Sequence, residues 1–128
     1  MIKRILVLAV GASLAFGVAT AYGVASHVIL DLSDTASGYS LHGKVHSNRD
    51  ACEANRRVKI FFMGKSVTPD PSSDDVLGSD TTSPIGRYRV SFHGTADAGN
   101  YYSKVASKEL SSGVFCGSDI SNVVGNGG

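Results

Sequence analysis

The stretch Tyr39-Ser40-Leu41-His42-Gly43-Lys44-Val45-His46 decides the fold. Tyr39, Leu41, Gly43 and Val45 alternate with the polar Ser40, His42, Lys44 and His46. That period of two belongs to a pleated strand with one buried face. The same alternation returns in Val58, Ile60 and Phe62 against Lys59 and Phe61, and in Tyr88, Val90 and Phe92 against Arg87, Arg89, Ser91 and His93. No stretch of helical period is long enough to compete, and three strands patterned alike imply one shared core.

Working outward, Val76 to Asp80 reads as a short strand, and Asn100 to Ser107 as a longer one with Tyr101, Ser103 and Val105 on one face and Tyr102, Lys104 and Ala106 on the other. Cys116 and the Ile120 to Val124 stretch close the pattern, and His27 to Leu32 adds a first strand. Between strands, Gly64 to Asp75 holds Pro69 and Pro71 in a Ser and Asp context, the composition of a surface loop, and Thr81 to Gly86 turns through Pro84 and Gly86. The expectation is an all-β Greek-key sandwich of about seven strands, with a small barrel as the nearest competitor.

The chain opens with Lys3 and Arg4, then the apolar run Ile5 to Val18, then small residues at Ala19 and Ala21. Those three parts read as an export signal. The run is shorter than the roughly 20 residues that span a bilayer, so no membrane anchor is expected. Cleavage after Ala21 would release Tyr22; cleavage after Ala25 would release Ser26. The expected organisation is a signal peptide over 1–25, cut after about 21 to 25, a single sandwich domain over 26–124 and a flexible Gly-Asn-Gly-Gly tail over 125–128. The destination is extracellular or periplasmic. Removing Lys3 and Arg4 takes the formal charge from +1 to about −1, with both signs mixed along the chain. Nucleic acid is therefore not an expected partner.

Cys52 and Cys116 are the two cysteines. In an exported chain they are expected to pair, and closing so long a loop contributes at most roughly 4 kcal/mol in the chain-entropy model. No catalytic constellation is legible: no Gly-x-Ser-x-Gly elbow occurs. His42 and His46 lie about 13 Å apart at about 3.3 Å per residue, too far to share a zinc ion. Asp70, Asp74 and Asp75 flank the proline loop without the spacing of an EF-hand. No metal or other cofactor is expected. The candidate binding surface comprises Tyr102, His42, His46 and His93 on outward faces together with Asp70, Asp74 and Asp75, while Tyr88 and Tyr101 are expected in the core with hydroxyls reaching the rim.

The strings GKVHSNRDACEANRRVKIFF, GSDTTSPIGRYRVSF, GNYYSKV and GVFCGSDIS, in that order, resemble the transthyretin-like, or carboxypeptidase regulatory-like, superfamily, especially its small secreted bacterial members. The resemblance covers Leu41 to Val124, and its most specific element is the run from Thr81 to Tyr88. It implies a β-sandwich in a secreted context. One enzymatic branch, the 5-hydroxyisourate hydrolases, is loosely similar in His27-Val28-Ile29-Leu30-Asp31 and Ala36-Ser37-Gly38, which would place a catalytic His at His27 and a catalytic Arg near Arg87. This chain lacks that branch's Tyr-Arg-Gly-Ser ending and has no histidine after His93. The functional expectation is a secreted, disulfide-stabilised, non-catalytic structural or binding module whose partner is a protein or glycan at the cell envelope. The alternatives are a hydroxyisourate-hydrolase-like enzyme and a carbohydrate- or calcium-dependent binding domain.

Overall fold

A computed structural model describes residues 22–111 and 113–126; most of the expected signal peptide lies outside them. The chain is all-β. Among the described residues eleven strands run in order as β1 (Tyr22–Val24), β2 (Ser26–Asp34), β3 (Gly38–Ser47), β4 (Arg57–Gly64), β5 (Asp75–Thr81), β6 (Arg87–His93), β7 (Gly99–Val105), β8 (Lys108–Ser111), β9 (Val114–Cys116), β10 (Asp119–Ile120) and β11 (Val124–Asn126). A 3-10 turn, Asp50–Cys52, stands between β3 and β4. Among the described residues no helix is long and apolar enough to cross a membrane.

Two sheets form the sandwich. One has the order β2-β3-β6; the other has the order β10-β7-β4-β5, with β11 also pairing β7. The chain changes sheet from β3 to β4, from β5 to β6 and again from β6 to β7. In constant-type immunoglobulin sandwiches the fourth strand joins the first sheet; here β5 pairs β4 instead, through a register bulged between Ile60 and Phe61. A small third sheet, β1-β9-β8, sits at one end, with β1 and β9 parallel.

The alternation read from the sequence becomes the core. Val28 and Leu30 of β2, Leu41 and Val45 of β3, Val58 and Ile60 of β4, Tyr88 of β6, and Tyr101 and Val105 of β7 form one buried cluster. Tyr88 ties the two sheets. Its hydroxyl donates to the Ile29 carbonyl at 2.7 Å and lies 2.8 Å from Ser103 Oγ on β7. A Cβ at Gly43 would sit 1.7 Å from the Ile29 carbonyl oxygen and 2.7 Å from that hydroxyl, so glycine there makes room for the tie. The Tyr88 hydroxyl therefore ends inside the core rather than at the rim; Tyr101 donates to the Asp97 carbonyl.

The edges of the three-stranded sheet are closed by side chains. The Val28 N–H donates to Asp119 Oδ2 and the Leu30 N–H to Asn122 Oδ1, while Asn122 Nδ2 donates to the Leu30 carbonyl. On the other edge, the Arg89 N–H donates to Asp80 Oδ2. These contacts occupy backbone groups that an open edge would offer to another chain.

The seven expected strands are present together with shorter ones, and several boundaries differ from the reading. The strand expected to reach Ser107 stops at Val105, and β8 starts anew at Lys108. Tyr22–Val24 and Val114–Cys116 are further short strands, paired in parallel, so the sheet structure includes residues ahead of the domain start expected at 26. The Ile120 to Val124 stretch divides into β10 and β11. Gly125 and Asn126, expected in a flexible tail, pair with Asn100 and Gly99, because backbone pairing needs no side chain to drive it.

Candidate functional site

The best-tied region is the end of the sandwich that carries the small sheet. Cys52 and Cys116 are bonded there, with Cα atoms 5.4 Å apart, and Val24 of β1 is buried against them. Beside the bridge lies Arg56, fully buried. Its Nη1 donates to the Cys52 carbonyl and to Ser26 Oγ, and its Nη2 to the carbonyls of Ala106 and Gly117. Burial pulls the guanidinium below its ordinary value. Its N–H donors are satisfied by four neutral acceptors from four separate segments, with only Nε unpartnered. Thr82 completes the arrangement: its Oγ1 accepts the Arg56 N–H and donates to the Glu53 carbonyl. Sequence reading missed Arg56, because in Asn55-Arg56-Arg57 nothing distinguishes the buried arginine from its exposed neighbour.

All four histidines stand on the outer face of the β2-β3-β6 sheet. They share a face without forming a site. His46 opposes His27, whose Nδ1 lies 3.6 Å from Asp119 Oδ2. His42 opposes Asp31 on one side and Arg89 on the other, and its Nε2 is 2.9 Å from Ser33 Oγ. His93 opposes Gly38, four residues beyond Arg89, which puts it about 13 Å from His42 along the strands. His27 and Arg87, the residues implied by the hydrolase resemblance, are separated by the intervening β3 and offset by two residues along it, and so stand roughly 12 Å apart. A recess of about 220 Å³ on this face is lined by His42, Asp80, Arg87 and Arg89.

The acidic loop is occupied with its own structure. Asp74 Oδ2 accepts the Asp70 N–H and the Tyr102 hydroxyl, both at 2.7 Å, and Asp70 Oδ1 accepts the Ser72 hydroxyl. Hydrogen bonds from Ser72 and Ser73 hold the Asp70 carboxyl below its ordinary range. Asp75 is exposed at the start of β5, opposite Phe62. Among the described residues, no three His, Cys, Asp or Glu side chains approach closely enough to hold a metal ion.

Tyr102 is not an exposed platform. It lies on the outward side of β7, as the alternation indicates, but it is fully buried there. Phe61 stacks on it with centroids 4.9 Å apart and planes 4° from parallel, and Met63 packs into the same cluster. Burial, and then the bond to Asp74, hold its phenol well above the ordinary range. The loop after β4 folds back over this face, which periodicity alone does not convey.

That covering leaves a recess of about 180 Å³ beside the stack, lined by Arg57, Lys59, Phe61, Pro71, Lys104 and Ala106. Lys59 and Lys104 are directly opposed across β4 and β7. Along the same row the flanking residues are Ser79 of β5 and Ile120 of β10, both uncharged. Three cations, Arg57, Lys59 and Lys104, thus line one recess on this outer face. Comparison of the chain with protein-family models, with curated proteins and with solved structures found no match.

Proposed function

We propose that this chain is exported, cut after Ala21, and acts as a non-catalytic binding module at the cell envelope, a β-sandwich locked by its disulfide. The observation that carries the reading is the pole where Cys52, Cys116 and Arg56 hold together the 3-10 turn, the start of β2, the end of β7 and the segment after β9. A disulfide persists in oxidising compartments and is rare in reducing ones. With the β2 and β6 edges taken by side chains, the three-stranded sheet offers a partner its outer face and loops rather than its strand edges. The cut after Ala21 is supported by Val24, 6 % exposed against the bridge, since cleavage after Ala25 would remove β1 and uncover the disulfide. Kinship with the transthyretin-like superfamily belongs to the same reading. Its support is the Thr81 to Tyr88 run, where Thr82 anchors the turn and Gly86, with φ of 87°, delivers Tyr88 into the core.

The test is capture from envelope extract on the immobilised chain beginning at Tyr22. The reading expects a protein or glycan species displaced by free native chain and absent when the chain has been reduced and unfolded. Absence of any displaceable species from both fractions would refute it.

A further inference from the structure

We infer that the recess between β4 and β7 binds a small organic anion, a carboxylate, sulfate or phosphate carried on a sugar-sized ring. This rests on the binding-module reading above and names the ligand class for one of its faces.

Three observations carry it. The first is the opposed pair Lys59 and Lys104. Residues paired across antiparallel strands have Cβ atoms about 4.5–5.5 Å apart, and like charges so placed are destabilising. Arg57 stands two residues along β4 on the same face and adds a third cation at about 7 Å. Folding alone gives no reason to hold three cations together.

The second is that these charges are unanswered. Among the described residues none of Arg57, Lys59 and Lys104 lies within ion-pair distance of a carboxylate; the pair that does form joins His27 and Asp119. The carboxylates on the adjoining loop, Asp70 and Asp74, accept hydrogen bonds from Ser72, Tyr102 and the loop backbone. The recess on the opposite sheet differs here, because Asp80 lies among its arginines.

The third is shape. About 180 Å³ is on the order of six water volumes, below the usual range for a drug-sized ligand and sufficient for one ring. Pro71, Ala106 and Phe61, the last held rigid by its stack on Tyr102, give the recess apolar walls beside the cations. Apolar walls beside a cluster of positive charge suit an anion with a carbon body better than a bare inorganic ion.

The experiment follows amide shifts of the 22–128 chain, at low salt, on titration with glucuronate, glucose 6-phosphate, inorganic phosphate and glucose. The expected result is saturable shifts around Lys59 and Lys104 with either sugar anion, at least tenfold weaker binding of inorganic phosphate, and none of glucose. Lys59→Gln and Lys104→Gln should each weaken sugar-anion binding at least tenfold. Each should leave the melting temperature unchanged or higher, because each relieves the opposed charges. Equal binding of inorganic phosphate and the sugar anions, tighter binding of a single-stranded oligonucleotide than of either sugar anion, or no shift at tens of millimolar ligand would each overturn the inference. The envelope capture experiment separates this failure from that of the broader reading. A species still captured by the Lys59→Gln/Lys104→Gln chain would leave the binding module standing and discard the recess as its site.

Discussion

Asn122 makes both backbone hydrogen bonds that a neighbouring strand would make to Leu30: its Oδ1 accepts the Leu30 N–H and its Nδ2 donates to the Leu30 carbonyl, each at 2.9 Å. One side chain thereby replaces a strand residue at the edge of β2. Two residues earlier along β2, Asp119 takes the Val28 N–H at the same distance. The segment around β10 seals the edge without extending the sheet.

Asn122→Ala should therefore unsatisfy two main-chain groups and cost about 1–3 kcal/mol. A domain of this size loses roughly 4–8 °C in melting temperature per kcal/mol. Asn122→Asp, which keeps the acceptor and loses the donor, should fall between wild type and alanine. Thermal denaturation checks the order, and sedimentation should show the alanine variant self-associating through the uncovered edge. An alanine variant as stable and as monomeric as wild type would remove the capping role.

The bridge and Arg56 act on the same segments, since Arg56 bonds the carbonyl of Cys52 and that of Gly117, next to Cys116. Replacing both cysteines by alanine should cost up to roughly 4 kcal/mol. Arg56→Met, which leaves four acceptors without their donors, should cost more than about 3 kcal/mol. A double-mutant cycle by urea denaturation should be non-additive by at least about 0.5 kcal/mol, as expected of groups sharing neighbours. Strict additivity would mean that the two ties are independent.

Burial pushes the Tyr88 and Tyr101 phenols up to about 12, from an ordinary value of 10. Both are neutral when protonated, so a raised folded value favours the folded state while the proton is on. That stabilisation is fully present below about pH 10 and is lost as pH rises from there through about 12. For Tyr88 it is on the order of 3 kcal/mol. Absorbance at 295 nm and circular dichroism, recorded together against pH, should show these phenolates forming as the fold is lost. Ionisation of the same residues near pH 10 in a protein that stays folded would contradict their burial.

How much of this was legible in the sequence follows from what each feature depends on. The β3, β4 and β6 strands were visible because Leu41, Val45, Val58, Ile60 and Tyr88 all face one core, and local alternation records that directly. Tyr22–Val24 and Val114–Cys116 were not, since three residues carry no period and their pairing partners lie about ninety positions apart. Alternation gives the outward face of Tyr102 but not its burial, because Phe61 and the Asp74 loop that cover it arrive from β4 and the segment after it. Arg56 was invisible for a related reason, because its acceptors at Ser26, Cys52, Ala106 and Gly117 converge only in three dimensions. The opposed Lys59 and Lys104 needed the β4–β7 register, which no local pattern gives.

Export, cleavage after Ala21 and closure of the Cys52–Cys116 bond, as proposed, leave one combined signature in the mature protein. The measurement is the intact mass of the protein recovered outside the cytoplasm of cells expressing the full chain. The predicted mass is that of residues 22–128 less two hydrogens. A chain still starting at Met1, retained in the cytoplasm with both thiols free, would overturn both export and the structural role of the bridge.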